Sequence, residues 1–303
     1  MSAERPDLSV IVVTHGRTEL AVATLRSARA AAAGLQVEWL VIDSGSPDDT
    51  PAALEAAFAD ITVERCPNIG FASANNRGLG RARGRYVLLL NPDVEIVSGT
   101  FAELLAMLDE RPTVGIASVI QQGSDQELQY SIRRYPTVRS AFGEALGLRW
   151  RGWQEEERAQ SRYGFESAAD WLVGAFLIAR AETVRDVGRL DERFFLYSEE
   201  TDWCYRARAA GWEIRHLPQM TVTHHTTPAS RPELIAQLSY AKLLFARKHY
   251  RPGVSGTIRA GLATRHLLRL LACAGRSRAT GERLAAERHA LAVVAGVAPP
   301  PFR

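Results

Sequence analysis

Three carboxylates fall within four residues at Glu199, Glu200 and Asp202, at or just ahead of a helical pattern. Like charges this close repel, and partial burial raises at least one of them toward the range in which a general base works. The flanking Phe194, Phe195, Tyr197 and Trp203 argue for a buried setting, although an acidic first turn favoured by the helix dipole would need the same residues. A second group is the pair His224-His225 in a β-type run. Adjacent strand residues face opposite ways, so at most one imidazole meets a site, where it can complete a coordination shell begun by Asp93. The chain lacks a GxxxxGK[ST] phosphate cradle, and Gly78-Leu79-Gly80 lacks the third glycine of a dinucleotide fingerprint. A bound nucleotide would then need its phosphates neutralised by a divalent cation on carboxylate oxygen, a task for which Asp93 is placed.

The elements that must position these groups alternate. Leu8–Val13, Glu38–Ile42, Ile61–Arg65 and Tyr86–Leu90 are short apolar runs that suit strands covered on both faces. Between them Glu19–Ala33, Asp48–Ala59 and Ala72–Arg83 read as helices. The repeated βα order predicts a doubly wound α/β sheet with ligands beyond the carboxyl ends of its strands. Thr14, Asp43, Asn68 and Asp93 stand at four successive strand ends, although each also suits a turn or a helix cap. Further on, Phe101–Asp109 and Ala181–Val187 read as helices and Trp171–Ala179 as one continuous buried strand. The stretch Gly123–Phe165 between them is irregular. Its arginines Arg133, Arg134, Arg139, Arg149 and Arg151 alternate with Tyr130, Tyr135, Trp150 and Trp153, which fits either single-stranded nucleic acid or an acceptor cleft.

With 303 residues, 46% apolar and 23% charged, the composition is that of a globular chain of one or two domains. The net charge of +3 conceals an asymmetry: residues 1–230 carry 24 basic and 31 acidic side chains, residues 231–303 carry 13 and 3. That tail, net +10 against −7 for the rest, is of a kind that meets phosphates. Cys66, Cys204 and Cys273 form neither a disulfide framework nor a zinc pair, which favours the cytoplasm. The start MSAERPDLSV has no signal-peptide pattern, and no run reaches the ~20 apolar residues of a spanning helix.

The ordered stretches VIVVTHGR, VIDSGSPDDT, NIGFASANNRGL, LLLNPDVEI, WLVGAFLIAR, FFLYSEETDWCYRARAAGW and VTHHTTPAS resemble the motif series of inverting family 2 glycosyltransferases of GT-A fold. Over about residues 8–250 the chain is most similar to the bacterial rhamnosyltransferase-like branch. The resemblance implies a Rossmann-like, mostly parallel central sheet with helices on both faces, covering residues 1–230, and a helical appendage at 231–303. The nucleotide-sugar half would span about 1–100 and the acceptor half about 101–230. It implies transfer of a sugar from a nucleoside diphosphate, dTDP-β-L-rhamnose above all, to an acceptor hydroxyl of a glycan or polyprenyl-diphosphate-linked precursor. UDP-galactofuranose or a UDP-hexose is the alternative donor, and a nucleic-acid-binding protein the alternative of another class. Thr14, Asp43 and Ser44 would contact base and ribose; Asn68, Gly70 and Asn76 would shape the donor pocket. Asp93 matches the last acid of the family's DxD motif, with Asn91 at the first position, and would hold Mg²⁺ or Mn²⁺ together with His225. Glu200 falls at the catalytic base and Glu199 and Asp202 at the flanking acids, while Trp171, Gly174 and Trp203 would lie on the acceptor side.

In the tail, Ile258–Ala274 sets Leu262, Leu267, Leu268, Leu270 and Leu271 near Arg259, Arg265 and Arg269. Such a basic amphipathic helix can lie on an anionic membrane, here the inner face of the cytoplasmic membrane. The competing expectation packs these helices on the catalytic domain or on a second subunit of a homodimer.

Overall fold

The computed structural model describes residues 5–148, 153–225, 232–274 and 281–302. Its first half alternates as β1 (Leu8–Thr14), α1 (Thr18–Ala31), β2 (Val37–Ser44), α2 (Thr50–Ala57), β3 (Val63–Cys66), α3 (Phe71–Leu79) and β4 (Tyr86–Leu90). These four strands are parallel in the order β3-β2-β1-β4. Alternate residues serve opposite faces: Val10, Val12, Leu88 and Leu90 enter one core layer, Ile11, Val13, Val87 and Leu89 the other. Burial on both faces is why these strands are continuous apolar runs.

The second half adds β5 (Val94–Ser98), α4 (Phe101–Asp109), β6 (Val114–Gln122), β7 (Ile132–Arg133), α5 (Val138–Leu146), β8 (Ser167–Ala168), β9 (Trp171–Leu172), β10 (Phe176–Arg180), α6 (Ala181–Val187), α7 (Glu199–Ala209) and β11 (Glu213–His224). The sheet continues from β4 through β10, β6 and β11 to β5, with β10 antiparallel to both neighbours and β6 parallel to β11. The expected single strand Trp171–Ala179 is two. It breaks at Val173–Ala175 around Gly174, β9 pairing with β7 while β10 joins the main sheet. Within the irregular middle, residues 149–152 lie outside the described residues, and with them Arg149, Trp150 and Arg151. Arg133 and Arg134 are ion-paired with Glu156 and Glu157, and Arg139 lies over the Trp153 ring.

Helices α8 (Pro232–His249), α9 (Pro252–Ala274) and α10 (Gly281–Ala295) follow and pack on α5. Gly261 of α9 lets that helix close on α5, since a Cβ there would stand 2.8 Å from that of Ala141. The expected amphipathic helix thus has one committed face. Ile258, Leu262 and His266 are buried, while Arg265 pairs with Glu144 and Arg269 with Glu287. Leu267, Leu268 and Leu271 are exposed. Inside the bundle, Ser239 Oγ lies 2.8 Å from His266 Nε2, whose Nδ1 lies 2.6 Å from Glu287 Oε2. This Ser–His–Glu relay has the order of a hydrolytic triad. All three side chains are buried, so it serves to cross-link α8, α9 and α10. Among the described residues no helix is long and apolar enough to cross a membrane.

Candidate functional site

The strand order turns back between β1 and β4, and in such sheets the ligand crevice opens at the carboxyl ends of those strands. There Thr14 Oγ1 donates to Asp43 Oδ1 at 3.0 Å across the ends of β1 and β2. The other Asp43 oxygen accepts the Ser46 N–H at 3.1 Å, and the Ser46 hydroxyl donates to Oδ1. Ser44 Oγ accepts the Ile69 N–H at 3.3 Å. Thr14, Asp43 and Ser44 are therefore gathered into one buried cluster at the sheet end.

Asn91 and Asp93 follow directly on β4. Asp93 Oδ2 accepts from Arg17 at 2.9 Å, and its Oδ1 lies 3.4 Å from His224 Nε2. His225 was expected to complete this shell, but its ring faces Glu95 and Ser124, at 2.9 Å each, and only its backbone N–H reaches Asp93, at the carbonyl. The cause is strand parity: His224 shares a face with buried Val222, and His225 does not. Asn91 Oδ1 and Asp93 Oδ1 are both buried without a hydrogen-bond donor among the described residues. Two unpaired hard oxygens and an imidazole at one strand end fit a divalent cation that keeps several waters and takes its remaining oxygens from a diphosphate. No cluster of three or more His, Cys, Asp or Glu ligands occurs among the described residues, so a closed protein-only cage is absent.

Tyr197 and Ser198 enter α7 with φ of +71° and +65°, a left-handed conformation that non-glycine residues adopt at a cost. That entry directs Glu199 and Glu200 inward from the first turn. Burial, then the neighbouring Glu200 charge, holds Glu199 well above the usual carboxylate range. Burial also raises Glu200, partly offset by a hydrogen bond from Glu199 and by the Arg133 charge. One proton on Glu199 thus serves both groups and leaves Glu200 the more basic-ready carboxylate. Each keeps one oxygen buried and unpaired among the described residues.

Glu200 lines a cavity of about 560 Å³ together with Trp171, Tyr197 and Arg133, and with Lys242 and Arg265 from the C-terminal helices. Gly174 backs it: a Cβ there would meet Glu200 Cγ at 3.5 Å. Asp93 does not line this cavity. The Val173–Ala175 turn links the two groups, because Gly174 abuts Glu200 while Asn91 N–H donates to the Ala175 carbonyl at 2.9 Å.

Other expected site residues have structural work. Asp202, one turn into α7, is wholly buried and faces away from the cavity lining toward Arg206 (2.8 Å), Lys248 (2.5 Å) and His249 (2.6 Å). Burial opposes its charge, but these three partners hold its carboxyl below the usual range, and the cluster clamps α8 to α7. Trp203, expected beneath a sugar ring, is a core residue whose indole donates to the Gly188 carbonyl at 2.9 Å. Asn76 is buried and bonded to the Leu190 backbone and to Glu192. Asn68 Oδ1 accepts the Gly70 N–H at 3.3 Å. Gly70 has φ +84°, and a Cβ on it would fall 2.6 Å from the Phe195 carbonyl. Gly70 and Asn76 therefore fix α3 against residues 190–195, and Asn68 holds the turn that leads into it. Sequence reasoning missed Lys242, Arg265, Glu144 and Glu155 as cavity groups, and no local pattern marks them. It also missed Arg17 and His224, the second of which strand parity from Val222 would have found.

A family model described as glycosyl transferase family 2 matches residues 9–171. The chain is similar to the N-acetylglucosaminyl-diphospho-decaprenol L-rhamnosyltransferase of Mycobacterium tuberculosis, at 29% identity over 84% of this chain and 90% of that protein. It is similar to the rhamnosyltransferase WbbL of Escherichia coli K12 at 23% identity, over 52% of this chain and 61% of WbbL. Among solved structures, a mannosyltransferase of Pyrobaculum calidifontis in complex with GDP-Man and Mn²⁺ superposes with a TM-score of 0.57 at 18% identity, covering 99% of this chain and 78% of that one. That likeness establishes a shared GT-A-type fold.

Proposed function

The chain belongs to glycosyl transferase family 2, and on that premise we propose that it transfers L-rhamnose from dTDP-β-L-rhamnose, with inversion, to a hydroxyl of a sugar carried on a polyprenyl diphosphate. The sugar and the class of acceptor follow the name of the mycobacterial relative, and the dTDP nucleotide follows the family resemblance. The observation that carries the reading is the buried Glu199–Glu200 pair, of which Glu200 lines the cavity and abuts Gly174 in the turn after β9.

Glu200 accepts the proton of the acceptor hydroxyl as its oxygen bonds to the anomeric carbon. The bond from that carbon to the diphosphate oxygen breaks on the opposite face, and its electron pair leaves with the nucleoside diphosphate. Burial suits Glu200 to this role, because a base with a raised pKa binds the transferred proton more firmly. Glu199, holding the shared proton, orients Glu200. Trp171 fixes the cavity wall, its indole donating to the Arg134 carbonyl at 2.8 Å. Asp43, with Thr14, presents acceptors to base and ribose at the sheet end. Asn91, Asp93 and His224 are the groups that would hold Mg²⁺ or Mn²⁺, which when bound offsets the charge growing on the leaving diphosphate. Without His225 in that set, the number of protein ligands stays small.

A thermal-shift screen of dTDP-rhamnose, UDP-galactofuranose and UDP-hexoses with Mg²⁺ or Mn²⁺ tests the donor, since a ligand that binds only the native state raises the melting temperature. dTDP-rhamnose should give the largest rise; a larger one with a UDP sugar would overturn the donor assignment. The exposed Leu267, Leu268 and Leu271 beside the basic tail support docking on an anionic bilayer at the inner face of the cytoplasmic membrane. Flotation with anionic vesicles should be lost in the triple Leu→Ser variant, and equal flotation of the two proteins would remove this surface from the reading.

A further inference from the structure

Opposite Glu200, the cavity wall is made by helices that belong to the basic tail. Lys242 of α8 and Arg265 and Arg269 of α9 all line it, alongside Arg133 from the sheet side. These cations meet acids of the same lining, Arg133 pairing with Glu156 at 3.0 Å. Lys242 and Arg265 share Glu144, at 3.2 and 2.8 Å, and Lys242 also reaches Glu155 at 2.9 Å. Arg269 has one long contact, 3.3 Å to Glu287, and its side chain is 42% exposed. The Nε–H groups of Arg265 and Arg133 are buried with no acceptor among the described residues. Arg265 and Arg133 line the cavity together, and the half-exposed Arg269 beside them, held by one long contact, can turn toward a ligand rich in anionic oxygen.

We propose that Arg265 and Arg269, with Arg133 across the cavity, form a subsite for the diphosphate of a prenyl-diphosphate-linked acceptor, so that the C-terminal helices complete the acceptor site. The inference rests on reading Glu200 as the base. Three observations select the acceptor's diphosphate over the donor's. Thr14, Asp43 and Asp93, which gather at the sheet end, do not line this cavity. The arginine wall shares its cavity with Glu200, on the side that must receive the attacking hydroxyl. Leu268 stands exposed on α9 next to the face that carries Arg265, where a prenyl chain leaving the diphosphate can begin, while Leu267 and Leu271 lie on the other side of the helix. Guanidinium forks match phosphate oxygens in pairs, which suits arginine to the task better than lysine.

The test uses the full chain and farnesyl diphosphate as probe, titrated in a calorimeter in the presence of saturating dTDP so that the nucleotide site is filled. Wild-type protein should bind it, and farnesol should not bind. Arg269→Gln, at a half-exposed position that folding tolerates, should weaken binding by on the order of 10-fold, and Arg265→Gln/Arg269→Gln by on the order of 100-fold, from the usual worth of charged hydrogen bonds. In transfer assays Arg269→Gln should raise KM for a diphosphate-linked acceptor by a similar factor and leave the donor KM within twofold. Farnesyl diphosphate displaced by dTDP, or a donor KM that rises in place of the acceptor KM, would assign these arginines to the donor. Equal binding by wild type and Arg269→Gln would overturn the subsite. Because binding of the probe needs no turnover, it stands or falls independently of the sugar donor and of Glu200.

Discussion

Replacing Glu200 by Gln keeps the shape of the side chain and removes its capacity to take a proton. Positioned general bases contribute roughly 10²–10⁴-fold, and at 1.36 kcal/mol per tenfold the midpoint is about 4 kcal/mol. Glu144, Glu155 and Glu156 also line the cavity, but each is tied up in an ion pair with Lys242, Arg265, Arg133 or Arg158. Glu199 is the nearest carboxylate, and burial with its neighbour's charge keeps it protonated well above the pH at which free glutamate ionises. We therefore expect kcat to fall about 10³-fold. The fold should not suffer, because the Glu200 Oε2 that becomes an amide or carbonyl has no partner to lose among the described residues, and the substitution removes a buried carboxylate whose charge burial disfavours. The melting temperature of Glu200→Gln should equal or exceed that of the wild type, a gain in stability at the expense of function. The assay is the initial rate of nucleoside diphosphate release with saturating donor and acceptor, run beside calorimetric donor binding and a thermal melt. A kcat within threefold of wild type would show that some other group takes the proton. A large loss of kcat matched by an equal loss of donor affinity would make Glu200 a donor ligand instead.

The pH profile should carry the same signature: Glu200 acts as the anion and its pKa lies above the ordinary carboxylate range. kcat/KM should thus be flat at alkaline pH and fall tenfold per unit as pH drops below that raised value. Glu199→Leu should move this acid limb upward, since the hydrogen bond that stabilises the Glu200 anion is lost, while Glu199→Gln should leave it nearly in place; identical limbs in all three proteins would dissolve the pair. Asp202→Asn, by contrast, should cost stability and not chemistry. Removing one partner of a buried ionic cluster costs about 3–5 kcal/mol, so the melt should drop by roughly 10 °C while kcat at 20 °C stays within a few-fold. The Asp202 pKa is depressed in the fold, so its stabilisation is present above the unfolded-state pKa and is lost as pH falls through the folded one. An acid-unfolding midpoint unchanged in Asp202→Asn would contradict that. Gly70→Ala meets both a left-handed backbone and a carbonyl at 2.6 Å, and should destabilise by about 1–3 kcal/mol or more in a urea titration. Asp93→Ala should abolish the gain in nucleoside diphosphate affinity on adding Mg²⁺, whereas unchanged affinities with and without the ion would place the cation elsewhere.

The parallel half of the sheet could be read from the chain because its signal is local. Four apolar runs punctuated by polar residues admit little but buried parallel strands, and Tyr86–Leu90 begins and ends where its pattern does. The broken strand at Gly174 was not legible. A run such as WLVGAFLIA has the same hydrophobicity whether its halves join one sheet or two, and the choice falls to partners distant in sequence.

The site divides in the same way. Residue type and spacing alone marked Glu199, Glu200 and Asp93, because a carboxylate at a helix start or a strand end is placed by its own element, whereas Asn91 entered only through the family resemblance. Which carboxylate meets the cavity was decided by tertiary structure. Asp202 belongs to the same helical turn as its neighbours, yet α8 brings Lys248 and His249 to it and converts it into a clamp. The arginine wall is invisible in one dimension, since Arg265 and Arg133 stand 132 positions apart and become neighbours only when the C-terminal helices fold back over α5. A chain encodes local geometry in patterns a few residues long. The burial that unpairs a guanidinium or raises a carboxyl pKa is a property of the packed molecule, and that burial decides which of several similar side chains can act.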